Sequence, residues 1–293
     1  MRKYIAISMG IAGMLIFLSS CSQLSTSSNL DANRQQEETQ EKAEGSNAAE
    51  IKEKVQDSGK SEEGMDETAV SDASQKDGIS EPLYELTEKN WSIQPIVDQA
   101  EEKVVLLTID DAPDKHALEM AKTLKSLDAK AIFFVNGHFL ESDEQKQVLK
   151  KIHDMGFVIG NHTYHHQSLS DITKEEQKQE IVSLNDLIEE IVGERPQFFR
   201  APNGQNTDYS KQVAEEESML LMNWSYGYDW NQEYMNEEAL SDIMVNTELL
   251  GNGANLLMHD REWTAKALSD IVAGLRDKGY EIVDPALIKT AKE

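Results

Sequence analysis

The chain has 293 residues, a formal net charge of −26 and a pI near 4.6. That balance repels nucleic acid and anionic lipid headgroups and excludes both as partners of its surface. A single cysteine, Cys21, excludes an internal disulfide framework.

In chain order, the first feature is a basic start at Arg2 and Lys3, followed by an almost unbroken apolar run from Tyr4 to Leu18. The run is shorter than the roughly 20 residues of a membrane-spanning helix and ends on small residues, the pattern of a secretory signal over residues 1–20. Leu18-Ser19-Ser20-Cys21 resembles the lipobox of bacterial lipoproteins. That resemblance implies cleavage before Cys21, lipid on its sulfur, and a place on the extracytoplasmic face of the cell membrane. The lipid would be the only membrane contact. Residues 21–81 are rich in Ser, Glu, Gln, Lys and Asp and nearly free of aromatic and branched apolar side chains. Such a segment cannot offset its ordering entropy by burial and is expected to be a disordered acidic tether. About 60 flexible residues give an average reach of roughly 45 Å.

Residues 82–293 form the expected folded domain. Strands are predicted at Val104 to Ile109, Ala131 to Val135, Phe157 to Gly160, Gln197 to Arg200, Leu220 to Trp224, Asn255 to Met258 and Tyr280 to Val283. Helices are predicted between them at His116 to Leu127, Ser142 to Met155, Thr173 to Val192, Leu240 to Leu250 and Thr264 to Lys278. Ser142 with Gln145 and Thr173 with Glu176 have the spacing of capping boxes. Repeated strand–helix alternation predicts an α/β fold with parallel strands, either an open sheet or a closed barrel.

Chemistry-bearing residues gather just past the strand ends. Asp110 and Asp111 follow the first strand, His162 the third, Arg200 closes the fourth and His259 follows the sixth. Active sites of parallel α/β folds lie at the carboxyl ends of their strands. The stretch Asn161 to His166 holds three of the seven histidines. His162 and His166, four apart, share a face if the segment is helical, and two imidazoles with one carboxylate suit a metal with open positions for water and substrate. An iron(II) oxygenase uses the same donor set, but would leave Asp110 and His259 without a role. A metalloprotease of the His-Glu-x-x-His type is disfavoured, because Thr163 stands where its glutamate belongs.

Five motifs in order resemble the polysaccharide deacetylase family, the NodB-homology group known as carbohydrate esterase family four. They are Thr108-Ile109-Asp110-Asp111, His162-Thr163-Tyr164-His165-His166, Arg200-Ala201-Pro202, Asp229-Trp230 and Leu257-Met258-His259. The likeness spans Lys103 to Pro285. It implies a distorted (β/α) barrel in which Asp111, His162 and His166 hold a divalent metal, usually zinc, with cobalt or another ion as options. It implies Asp110 as general base, His259 as general acid oriented by Asp229, and Arg200 as the residue positioning Asp110. A backbone N–H near Asn203 would face the developing oxyanion, while Trp230 and Leu257 wall the pocket. The substrate class implied is an acetylated amino-sugar polymer containing GlcNAc or MurNAc. Peptidoglycan comes first, because a membrane-tethered exported enzyme meets it first, and the enzyme is expected to act as a monomer. The chain departs from the family at Ala112, where Gly is usual, and at Asn203, where an aromatic is usual. A catalytically weak wall-binding lipoprotein of the same fold is therefore the competing expectation. His165 is expected to be a bystander to the metal.

Overall fold

The computed structural model describes residues 81–290. The expected signal segment, Cys21 and nearly all of the acidic tether lie outside those residues. Among the described residues no helix is long and apolar enough to cross a membrane.

The chain begins with a small antiparallel hairpin, β1 (Tyr84–Leu86) and β2 (Ile93–Pro95). The main sheet contains β3 (Val104–Ala112), β4 (Ile132–Val135), β5 (Val158–Asn161), β6 (Phe198–Phe199), β7 (Leu220–Leu221), β8 (Ala254–His259) and β9 (Glu281–Ile282). Its strand order is β7-β6-β5-β4-β3-β8, with β9 beside the start of β3, and every pairing is parallel. Past β7 the chain crosses to the free edge of β8, where Tyr226 bridges Leu256. The sheet thus curls toward closure, as the expected distorted barrel requires.

Helices α1 (Ala117–Ser126), α2 (Asp143–Asp154), α3 (Lys174–Val192), α4 (Asp208–Glu216), α5 (Glu237–Asn246) and α6 (Glu262–Asp277) intervene. Both expected capping boxes form, Ser142 with Gln145 and Thr173 with Glu176. Each satisfies helix-end N–H groups otherwise left open, a contribution of about 1 kcal/mol. Sequence reading had not anticipated α4 or the hairpin.

Strand alternation sorts the core. Along β3, Val105, Leu107 and Ile109 face the helices in one apolar cluster, while Val104 and Leu106 belong to a second cluster inside the curl. Tyr84, Ile93, Ile132, Phe134, Phe198, Met222, Val283 and Ile288 complete that inner cluster. The hairpin forms its floor: Ile93 N–H donates to Gly253 O at 2.8 Å, and Gly253 N–H to Val104 O at 2.7 Å, at the amino ends of β8 and β3. Continuing up the inward side of β3, Thr108 and then Asp110 follow, both buried. The two-residue period of the strand carries Asp110 from an oily floor to the rim where chemistry can occur.

Candidate active site

Asp110 and Asp111 do not follow β3 but lie inside it, because the strand runs on to Ala112. The β3–β4 register shifts between Ile109 and Ala112, and Asp111 takes a left-handed backbone with φ 60°. The irregularity breaks strict alternation and lets both neighbouring carboxylates reach the same cleft. Ala112 is fully buried within the strand.

His162 and His166 follow β5 in a loop. The segment is not helical, so the shared face that a helix would give does not form. Positive φ at Thr163 (68°) and His166 (57°) bends the segment so that both rings converge, with centroids 4.9 Å apart. Left-handed backbone costs an L-residue roughly 1–2 kcal/mol, and β-branched Thr163 is a marked case. Neighbouring groups hold the bend. Asn161 Oδ1 accepts from Thr163 N–H at 2.8 Å, and Asn136 Nδ2 donates to the carbonyls of His162 and Thr163 at 2.7 and 3.1 Å.

One donor atom each from Asp111, His162 and His166 lies within 4.8 Å of the others. His162 Nδ1 sits 2.7 Å from Arg200 O, a backbone acceptor that fixes the proton on Nδ1. Its Nε2 is thereby a lone-pair donor, 3.9 Å from Asp111 Oδ1, while His166 Nε2 lies 3.6 Å from that oxygen. Burial, then the neighbouring His162, pulls the His166 pKa below the ordinary imidazole value, which favours its neutral, ligating form. For Asp111 burial pushes the pKa up, but His162, His259, His166 and Arg261 outweigh it, and the net shift is downward. Two imidazoles and a carboxylate at this spacing fit a divalent metal, with zinc well suited to the set.

Arg261, absent from the sequence-derived site, donates from Nη2 to Asp111 Oδ2 at 2.8 Å. Asp111 therefore turns one oxygen to the histidines and the other to a guanidinium.

Arg200 is fully buried beneath the cleft. Its Nη1 donates to Asp110 Oδ1 at 2.6 Å and Thr108 Oγ1 at 2.9 Å, and its Nη2 to Asn223 O at 2.8 Å. Its guanidinium stacks 4.3 Å above the Phe134 ring. Burial pulls its pKa down, opposed by the Asp110 charge. Asp110 keeps its second oxygen, Oδ2, free of the arginine and 3.5 Å from His162 Nε2.

His259 ends β8. Its backbone N–H and its Nδ1 both meet Asp229, at 2.6 Å to Oδ2 and 2.7 Å to Oδ1. Thr264 Oγ1 donates to Asp229 Oδ2 at 2.8 Å, and Trp263 Nε1 donates to its carbonyl at 2.8 Å. Burial opposes charge on His259, but the Asp229 bond and charge, with Asp110 and Asp111, raise its pKa above the ordinary value. Next to it, Asp260 is buried and accepts the N–H groups of Asp114, Lys115 and His116 at 2.7, 3.1 and 2.6 Å. It ties β8 to the entry of α1 and so braces the loop after Asp111. Neighbouring a candidate His at a strand end was the only sign of Asp260 and Arg261 in the sequence.

All ten expected site residues of the domain line one cleft or its base. Nine surround a volume of about 590 Å³ and Arg200 supports it from below; Trp224, Met235, Arg261 and Trp263 complete the walls. The volume lies in the usual range for small-molecule sites. Trp230 is half-exposed at the mouth and stands edge-on to His259, with centroids 5.5 Å apart. Asn203 takes φ 55°, a left-handed conformation that asparagine tolerates better than most residues. His165 points elsewhere: its Nδ1 lies 2.6 Å from Glu180 Oε1, and it takes no part in the ligand cluster.

Comparison with known proteins agrees with this architecture. The polysaccharide deacetylase family profile matches residues 98–220, which hold both aspartates, both histidines, Arg200 and Asn203. A peptidoglycan-N-acetylglucosamine deacetylase of Bacillus cereus is 30% identical over 192 residues, covering 62% of this chain and 86% of that protein. PdaC of Bacillus subtilis, a peptidoglycan-N-acetylmuramic acid deacetylase, is 28% identical over 236 residues, 78% of this chain but only 48% of PdaC. The solved PdaC structure superimposes with a TM-score of 0.57 over 64% of this chain and 89% of the solved one, at 28% identity. A solved family 4 carbohydrate esterase from Bacillus anthracis, described as a pseudoenzyme, gives a TM-score of 0.57 at 26% identity over 63% of this chain and 64% of its own. With the profile over residues 98–220, a relative 30% identical over 86% of its own length and this cleft, the chain belongs to the polysaccharide deacetylase family.

Proposed function

We propose that the cleft removes N-acetyl groups from the glycan of peptidoglycan, with a divalent metal held by Asp111, His162 and His166. Family membership supplies the coarser statement: the chain is a hydrolase of carbon–nitrogen bonds other than peptide bonds. One observation carries the finer reading. A candidate base, Asp110, and a candidate acid, His259, share one cleft with a three-residue ligand set.

When bound, a divalent ion supplies Lewis acidity that makes water nucleophilic near neutral pH and polarises the acetamide oxygen. Zinc is the first choice for two imidazoles and a carboxylate, and cobalt is a workable substitute. Asp110 takes the proton of the attacking water on Oδ2, since Arg200 occupies Oδ1. The backbone N–H at Asn203 faces the charge that builds on the carbonyl oxygen. His259 gives its proton to the departing nitrogen from Nε2, because Asp229 holds Nδ1. The C–N bond breaks, and acetate and a free amine leave. Trp230 and Leu257 hold the sugar ring against the walls.

The relatives act on GlcNAc in one case and MurNAc in the other, and both sugars are carried as substrates here. The location follows from Cys21, which we propose is lipidated, with residues 21–81 as a tether on the outer face of the membrane. A wall-binding role without turnover is favoured by the departures at Ala112 and Asn203 and by the pseudoenzyme relative. Against it stands a cleft that brings the candidate acid, base and ligand residues together.

The test is acetate release from GlcNAc oligomers and from muropeptides by metal-loaded protein. Release that disappears in Asp110→Asn supports the proposal. Release that continues unchanged in that variant, or none from any acetylated glycan, overturns it.

A further inference from the structure

The loop that carries His162 and His166 is bent at two residues with left-handed backbone, Thr163 and His166. Strain of this kind persists only where surrounding contacts over-determine it. Asn136 and Asn161 hold the first half of the bend, through Thr163. Beyond Thr163 two elements hold it: the turn at Gly137 and His138, where His138 N–H donates to Tyr164 O at 2.9 Å, and α3. Tyr164 N–H donates to Glu180 O at 3.0 Å, and the Tyr164 ring lies flush on Gly137, where a Cβ would overlap it.

Glu180 itself is the unusual part. It lies on the buried stripe of α3 with Gln177, Ile181 and Leu184, and its side chain is only 8% exposed. Among the described residues no lysine or arginine pairs with it. Its carboxylate instead accepts the His165 backbone N–H on Oε2 at 2.7 Å and meets His165 Nδ1 through Oε1 at 2.6 Å. A buried carboxylate is strongly unfavourable unless hydrogen-bonded. Here both bonds go to the one residue lying between Tyr164 and the ligand His166. Letting the loop relax would strand the carboxylate, so the loop and α3 lock each other. His165 is thus a tie, facing away from the ligand cluster.

We propose that Glu180 is a positioning residue, which holds the His162–His166 loop in its ligating shape before any ion arrives. The inference rests on the metal reading of Asp111, His162 and His166, and extends it to a residue that never touches the ion. Support around metal ligands is commonly worth 10–100-fold in affinity.

The experiment measures zinc affinity of the full chain by competition with a chromophoric chelator, beside thermal melts and amide hydrogen exchange of the metal-free protein. Glu180→Ala is expected to weaken zinc at least tenfold and to speed exchange of the loop amides, while the melt stays cooperative. Glu180→Gln is expected to recover most of the affinity, since its carbonyl accepts the backbone N–H and its amide can donate to neutral Nδ1. Unaltered zinc affinity in Glu180→Ala, with a lower melting temperature only, overturns the proposal and leaves Glu180 a stability residue. If Glu180→Ala does not fold, Glu180→Asp decides. Its shorter arm cannot reach both donors, so affinity should fall severalfold, and affinity equal to wild type refutes the role. Wild-type protein that binds no zinc is a separate result, which refutes the metal reading itself.

Discussion

Asp229 grips His259 twice, through the ring Nδ1 at 2.7 Å and through the backbone N–H at 2.6 Å. One carboxylate thereby sets the tautomer, the ring plane and the strand end together. Burial works against charge on His259, yet Asp229 and the two cleft aspartates raise its pKa. The sign is clear: a general acid acts while protonated, so activity falls as pH rises through that raised value. Asp229→Asn removes the largest raising influence. Its alkaline limb in kcat/KM should move to lower pH, and kcat should fall about 10²–10⁴-fold. The ion pair's contribution to stability is present in full below the ordinary imidazole pKa and fades as pH rises through the folded value. A pH–rate profile with an unmoved alkaline limb would show that Asp229 does not tune the acid.

Arg200 has no exposed surface, and its charge is answered by Asp110 at 2.6 Å and by a ring face. Arg200→Ala should destabilise the fold by about 3–5 kcal/mol, the usual result of leaving a buried partner charge alone. Urea denaturation of metal-free protein measures it. A loss under about 1 kcal/mol would mean that water reaches Asp110 from below.

The two histidines at the end of the loop should separate cleanly. His166→Ala is expected to abolish tight zinc binding and acetate release together. His165→Ala keeps the backbone N–H to Glu180 and should hold zinc within about tenfold of wild type. Metal analysis of the two purified variants decides, and reversed results would place the ligand set one residue earlier.

Arg261 bonds the outward oxygen of Asp111. Removing it frees that carboxylate to rotate, so Arg261→Ala should weaken zinc roughly 10–100-fold. The lost cation works the other way, because it repels the ion, but this side chain is more than a third exposed and its charge is screened. Isothermal titration gives the sign directly, and tighter binding in the variant would show that repulsion dominates.

Much of this molecule could be read from its sequence, for specific reasons. Branched runs such as Val104 to Ile109 and the boxes at Ser142 and Thr173 are strong local signals, and they mark β3, α2 and α3 within a few residues. The hairpin was hidden because β1 and β2 have three residues each and β2 contains a proline. Helix α4 was hidden because it is short and its box pairs Thr207 with a serine, Ser210. Within the cleft, His162, Arg200 and His259 lie at strand ends as expected, while Asp110 and Asp111 lie inside β3 and Asp229 and Trp230 in the loop after β7. The reading failed on shape and on support. A shared face for His162 and His166 was conditional on a helix, and a bent loop brings the two rings together instead. Arg261 meets Asp111 across 150 positions and Glu180 meets His165 across 15. No local pattern announces either, because each is defined only by the partner that folding brings to it.

The hairpin floor has a consequence for how the molecule can be held. Leu83 N–H donates to Leu287 O and Lys289 N–H to Tyr84 O, both at 2.8 Å, so the chain enters and leaves the domain side by side. The cleft opens at the other end of the strands. A support or fused protein joined at Glu81 or Thr290 is therefore attached at the end of the domain away from the mouth. Beads carrying the domain by either end should process soluble oligomers as fast as the free protein does.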